Sequence, residues 1–176
     1  MRGWLLVAVV AVLVAIPGAA WAHVTVAADN PAPGSFTIYT VRVPNESDTA
    51  ATVRIELQLP ESLASARYQP KPGWDLSIQN GVFVADGGPI APGEFEEFYL
   101  QGRNPEEETT LTFPAIQIYD DGEEVAWTGE AGSDTPASQV QISSEGSEGG
   151  SDPLTLAALV LGAVGTLLGG VALFRR

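Results

Sequence analysis

Thr52-Val53-Arg54-Ile55-Glu56-Leu57-Gln58-Leu59 is the clearest strand signal in the chain. Successive side chains of a strand point to opposite faces. The odd-numbered apolar residues from Val53 to Leu59 therefore share one face, and Arg54, Glu56 and Gln58 share the other. The stretch predicts a strand with one buried face and one wet face.

The same period of two recurs on both sides of this stretch. Thr37 to Val43 places Tyr39, Val41 and Val43 on one face, and Pro44 ends the run. These three residues are therefore predicted to face the core.

A hairpin is predicted after the central strand. Trp74, Leu76 and Ile78 alternate with polar residues, and Asn80-Gly81 is a strong turn signal. Val82 to Ala85 would be the returning strand. Further short runs are Phe95–Gln101, Leu111–Phe113, Ile116–Tyr119, Val125–Thr128 and Ser138–Ile142.

Together these runs predict one all-β domain over residues 23–142, with about eight strands and turns every 8–12 residues. No long helical period interrupts them. The pattern is typical of an immunoglobulin-like or cupredoxin-like β-sandwich, and a small closed barrel is the alternative.

Residues 1–22 have the pattern of a signal peptide. Arg2 supplies a positive start, Trp4 to Ile16 an apolar segment, and Ala20-Trp21-Ala22 a small-x-small cleavage site. A membrane anchor is the competing interpretation, but the apolar run is short. Cleavage would make His23 the first residue of the exported protein.

The other end of the chain has the pattern of a membrane anchor. Residues 143–153 form an acidic Ser/Gly-rich linker, and residues 154–174 carry no charge over a helical length of about 31 Å. Arg175-Arg176 would be a cytoplasmic tail. The domain would then lie outside the cell membrane on a single-pass, C-terminal anchor. Gly165 and Gly169 are spaced to support a weak dimer.

Composition restricts the partners and the chemistry. The chain has 22 acidic residues, 8 basic residues and a net charge of −14, so nucleic acid and anionic lipid would repel it. It has no cysteine, which excludes disulfides and thiolate metal sites.

His23 is the only histidine in the chain. If cleavage frees its α-amine, the amine and the imidazole Nδ1 can chelate one metal ion, and these nitrogen donors suit Cu(II). The amine must lose its proton to bind, so its reference pKa of roughly 8 predicts weaker binding at lower pH. A third ligand is expected to be a carboxylate, which the chemistry alone does not identify.

Three segments resemble the YcnI-like family of bacterial copper-binding proteins. They are His23-Val24-Thr25-Val26, the run Tyr39 to Glu46, and the run Tyr119 to Trp127. The resemblance implies a cupredoxin-like domain with a one-histidine brace. It implies that His23 supplies the amine and Nδ1, that Glu46 supplies the carboxylate, and that Trp127 lies beside the metal without being a conventional ligand.

Each assignment has a simpler alternative. Glu46 could belong to a solvated turn, and Trp127 could be an ordinary core residue. The acidic runs at residues 94–97, 106–108 and 120–124 lack the ligand spacing of a calcium-binding EF-hand loop.

The favoured function is therefore a membrane-anchored, extracytoplasmic Cu(II)-binding protein in copper homeostasis or trafficking. It would act as a metallochaperone that exchanges the ion with a membrane copper transporter or another copper chaperone. No enzymatic activity is expected, because an oxidative copper brace uses two histidines and this chain has one. The alternative function is a metal-free structural or adhesion sandwich of the cell surface.

Overall fold

A computed structural model of the chain describes residues 23–144. The predicted signal peptide, most of the predicted linker, the predicted transmembrane helix with Gly165 and Gly169, and the two-residue tail lie outside these residues. Residues 23–144 contain no helix that meets the length and hydropathy of a membrane span.

The described residues form strands and connecting loops with no helix, which confirms the all-β prediction. There are eleven strands within residues 23–144. Their bounds are β1 Thr25–Ala28, β2 Phe36–Pro44, β3 Thr52–Gln58, β4 Ala64–Tyr68, β5 Trp74–Gln79, β6 Val82–Ile90, β7 Phe95–Arg103, β8 Thr109–Phe113, β9 Ala115–Tyr119, β10 Glu124–Trp127 and β11 Ser138–Ile142.

The strands form two main sheets that pack face to face. One sheet has the order β1-β2-β7-β4 and the other β10-β9-β3-β6-β5, while β8 and β11 form a separate pair. Aromatic rings bridge the two sheets, as where Phe83 of β6 lies 5.9 Å from Phe98 of β7 between ring centroids. Both sheets are open, so the domain is a sandwich and not the alternative closed barrel.

The central strand β3 follows the predicted pattern except at its start. Ile55 and Leu57 are fully buried and Leu59 is nearly so, and each such side chain contributes roughly 1.5–3 kcal/mol. Val53, however, is only half-buried, and Thr52 takes the inward position. The pairing with both neighbouring strands shifts register between Thr52 and Arg54, so a β-bulge reverses the alternation there.

The other strand predictions are confirmed, most of them with longer bounds; β10 begins and ends one residue earlier than predicted, and β11 has the predicted bounds. Tyr39, Val41 and Val43 are all fully buried. Asn80 and Gly81 have φ angles of 51° and 79°, which is the backbone of a tight hairpin turn, and β5 pairs with β6 through it.

Two short strands, β1 and β4, were not expected from the alternation. Both pair at the edges of the first sheet, β1 with β2 and β4 with β7. In β1 only Val26 is buried, and in β4 no residue is, so neither strand has the alternation of apolar and polar residues that identifies a half-buried strand.

Candidate metal site

The pairing of β1 with β2 brings His23 to the end of β2. In this antiparallel pair Thr25 lies opposite Arg42. Extending the register by two residues places His23 opposite Pro44, the last residue of β2. Val24, between them in the chain, is 1% exposed and anchors the start of β1 in the core. His23 therefore lies where the chain turns towards Glu46.

Trp127 ends β10, the edge strand of the second sheet, and belongs to the core. It is 7% exposed. Its ring also contacts His23, with ring centroids 5.4 Å apart and an edge-on angle of 66°. The two interpretations of Trp127, core residue and neighbour of His23, are therefore compatible.

Glu46 and Trp127 line the same cavity. This acidic cleft has a volume of about 220 Å³, and its lining residues are Glu46, Ser47, Tyr119, Glu123, Val125 and Trp127. Glu46 is exposed, as a turn residue would be, and it lines the same cleft as Trp127. Trp127, on the edge strand β10, is thus the neighbour that His23 and Glu46 have in common.

Asn45 holds the loop that carries Glu46, residues 45–51. Its side chain is 1% exposed, and its Nδ2 donates to the main-chain oxygens of Ala50 at 2.9 Å and Ile90 at 2.8 Å. Its Oδ1 accepts from the Ser47 N–H at 2.9 Å. The loop is therefore tied to the core by a buried amide. The sequence signal was an asparagine directly after a strand-ending proline, which sequence reasoning did not use.

Gln117 is a second buried amide that sequence reasoning missed. It is fully buried, and its Oε1 accepts from the Trp127 Nε1–H at 3.0 Å. Its Nε2 donates to the Pro44 oxygen at 2.9 Å and to Thr52 Oγ1 at 2.7 Å. In the run Ile116-Gln117-Ile118 hydropathy favours inward isoleucines, but β9 buries Gln117 and leaves both isoleucines half-buried.

The cleft carries a negative field. Burial raises the pKa of the Tyr119 hydroxyl, and a hydrogen bond with the Thr52 side chain acts in the opposite direction. The charges of Glu123, Glu46 and Asp121 raise this pKa further. The negative charges that raise the pKa of the Tyr119 hydroxyl also attract cations into the cleft.

The side chains alone do not complete a metal site. Among residues 23–144, no three His, Cys, Asp or Glu side chains converge on one point. The acidic cleft and its surroundings offer one imidazole and exposed carboxylates. A metal bound by His23 there would need a main-chain donor in addition, and a free amine at His23 is such a donor.

The protein is therefore an immunoglobulin-like β-sandwich with an acidic cleft along its edge strand β10, where a buried tryptophan contacts the one histidine. The chain belongs to the family described as "Domain of unknown function (DUF1775)", which matches residues 23–85 and 79–142. Its predicted membership of the YcnI-like family is thereby confirmed.

Two relatives extend the comparison. The chain is 31% identical over 191 residues to "Copper-binding protein CutI" of Bacillus subtilis (strain 168), covering 96% of this chain and 93% of that protein. A crystal structure from Nocardia farcinica, described as an uncharacterized protein with an immunoglobulin-like fold, is 34% identical with a TM-score of 0.61. The match covers 69% of this chain and 98% of that chain.

Proposed function

We propose that this protein binds one Cu(II) ion through a histidine brace at its mature N-terminus. The observation that carries the proposal is the contact between the ring of the only histidine and Trp127, which shares a cleft with Glu46. Near full-length similarity to a protein named for copper binding supports copper as the metal.

Each of the three residues has a distinct role in this proposal. His23 supplies its α-amine and Nδ1, and Glu46 supplies a carboxylate. Trp127 has its indole N–H committed to Gln117, so it acts through its ring, by shielding the ion and by the attraction of a cation to the π system. The family match begins at His23, the residue that cleavage after Ala22 would expose.

The donor set determines the oxidation state that we propose. The chain has no cysteine, and its one methionine is Met1, so the mature domain would offer no soft sulfur ligand. Nitrogen and carboxylate donors suit Cu(II) better than Cu(I).

The proposed role in the cell is copper homeostasis or trafficking. Few protein ligands at an exposed chain end favour exchange with another copper protein over permanent storage. Signal peptide cleavage and a C-terminal anchor at residues 154–174 would hold the domain on the extracytoplasmic side of the membrane. We propose no enzymatic reaction, since copper is the cargo.

The test compares two forms of the sandwich domain. One begins at His23 and the other at Ala22, so that only the first has a free His23 amine. Both are titrated with Cu(II) and followed by EPR. The proposal expects tight binding by the first form and a weaker, spectrally different site in the second. Equal binding by both would refute the brace, and no tight binding by either would favour the metal-free structural role.

A further inference from the structure

Gln117 lies between the two halves of the proposed site. Its Oε1 holds the indole N–H of Trp127, whose ring contacts His23. Its Nε2 holds the oxygen of Pro44, the residue that lies opposite His23 and precedes the loop carrying Glu46. One side chain thus links β9 to the end of β2 and to the last residue of β10.

Gln117 places a polar amide at a fully buried position of β9. Burying an amide costs free energy unless its N–H groups and its oxygen form hydrogen bonds. Here both N–H donors and the oxygen are paired, with Pro44, Thr52 and Trp127. An apolar residue would fill the core equally well but would leave the indole N–H without its acceptor.

These bonds restrict the indole. The hydrogen bond from the Trp127 indole N–H to Gln117 prevents the ring from turning its nitrogen towards the cleft. The same Gln117 amide also bonds Pro44, so it holds the end of β2 at a set distance from the ring. The Trp127 ring and the end of β2 therefore keep one arrangement relative to each other before any ion binds. Such preorganisation by residues outside the ligand set tunes metal sites.

We propose that Gln117 is a positioning residue for the copper site. It sets the orientation of Trp127 relative to the chain that leads to Glu46, and so sets the geometry offered to the ion. This inference rests on the proposed function, because it assigns Gln117 a role at the site formed by His23, Glu46 and Trp127.

The test uses three variants of the domain that begins at His23. Gln117→Met removes all the side-chain hydrogen bonds while keeping the volume. Gln117→Glu keeps an acceptor for the indole N–H and loses the donors to Pro44 and Thr52. The matched control is Asn104→Leu, which removes a buried amide at the other end of β2, where Asn104 bonds the oxygens of Asn30 and Ala32 and the Tyr39 hydroxyl.

Two measurements separate positioning from simple stability. In metal-free protein, the NMR signal of the Trp127 indole N–H should move and its hydrogen exchange accelerate in Gln117→Met but not in Asn104→Leu. With Cu(II), Gln117→Met should weaken binding about tenfold and change the EPR spectrum. Asn104→Leu should lower the melting temperature and leave affinity and spectrum as in the wild type.

The outcomes distinguish this inference from the function on which it rests. Wild-type affinity and spectrum in Gln117→Met, or equal changes in Asn104→Leu, would overturn the positioning role and leave the brace intact. Absence of Cu(II) binding by the wild-type domain would overturn both. If Gln117→Met does not fold, Gln117→Glu is judged by Cu(II) affinity and EPR spectrum alone, because it keeps the acceptor for the indole N–H; wild-type values of both would overturn the positioning role.

Discussion

Trp127 has two environments at once. The residue is part of the hydrophobic core, and it also contacts the His23 ring edge-on and lines the acidic cleft. Its nitrogen is bonded to a buried amide, so the residue cannot turn without breaking a hydrogen bond that water does not replace. A tryptophan held in this way can report on whatever binds beside it.

We therefore predict that Cu(II) quenches the fluorescence of Trp127 specifically. Trp127→Phe should remove the quenching and cost about 1–3 kcal/mol of stability, because Gln117 Oε1 loses its donor and the smaller ring leaves a gap. The measurements are a fluorescence titration with Cu(II) and a urea unfolding curve.

Trp74→Phe is the matched control for this prediction. Trp74 lies on β5, at the opposite edge of the same five-stranded sheet and about 19 Å away by strand spacing. That variant should retain strong quenching. Quenching that follows Trp74 instead would place the ion elsewhere.

Glu46 is the residue that the side-chain chemistry alone could not select. The acidic cleft also contains Glu123, and both carboxylates act on Tyr119. Charge alone therefore does not distinguish them. Only the family resemblance selected Glu46 before the structure placed it in the cleft with Trp127.

A pair of variants distinguishes ligation from charge. Glu46→Gln should weaken Cu(II) binding at least about tenfold and change the EPR spectrum, since even partners outside the ligand set cost that much. Glu123→Gln removes the same charge from the same cleft and should change affinity only slightly, with the spectrum retained. Similar effects of the two substitutions would remove Glu46 from the ligand set.

At the scale of elements, the side chain of Asn45 ties the loop of residues 45–51 to the core. Asn45 bonds Ala50, Ile90 and Ser47, and so closes the loop on itself and on the end of β6. Nothing in the loop's polar composition predicts this order, because the deciding contact with Ile90 is 45 residues away in the chain.

Asn45→Ala should destabilise the domain by about 2–4 kcal/mol, because two buried main-chain oxygens lose their donor. It should also speed hydrogen exchange at the Ser47 and Ala50 amides more than at β3. Asp48→Ala, an exposed substitution in the same loop, is the control and should change neither quantity. Unchanged exchange in Asn45→Ala would show that the loop is held by other contacts.

Alternation predicted the strands well where both faces had a clear polarity, and within the predicted strands the observed burial departs from it at two places for physical reasons. In β3 a bulge turns Val53 away from the core and Thr52 into it. In β9 the pairing puts Gln117 inside, where hydrogen bonds offset the cost of burying an amide. Both exceptions lie beside the cleft, where Thr52 and Gln117 bond each other. The alternation of apolar and polar residues is therefore least informative beside the cleft, where hydrogen bonds and a bulge determine which side chains are buried.

For the whole molecule, the site depends on three chain segments that are far apart in sequence. The proposed site residues His23, Glu46 and Trp127 lie before, after or at the end of different strands, and the strand register brings His23 opposite Pro44 at the end of β2. A single sequence predicts the strands but not this register. The resemblance to a known family supplied the grouping, and the sandwich provides its physical basis.

The net charge of −14 should also affect the stability of the whole domain. Ion pairs such as Arg42–Glu97 and Arg103–Glu106 are solvent-exposed and contribute only about 0–1 kcal/mol each. Repulsion among the excess carboxylates should therefore dominate the salt response.

We predict that the metal-free domain becomes more stable as NaCl rises from 10 to 200 mM. Screening should raise the melting temperature by roughly 2–5 °C, equivalent to about 0.5–1 kcal/mol. Scanning calorimetry checks this, with sucrose at matched osmolality as the control for non-ionic effects. A lower melting temperature in salt would mean that the ion pairs outweigh the repulsion.

The coordination of copper by the amine of His23 can be measured directly, because His23 is the only histidine. Growth on histidine labelled with ¹⁵N at the α-nitrogen alone marks one possible ligand atom in the domain that begins at His23. Pulsed EPR of the Cu(II)-loaded protein should then show a strong ¹⁵N coupling in place of one ¹⁴N coupling. A spectrum identical to that of unlabelled protein would contradict the histidine brace.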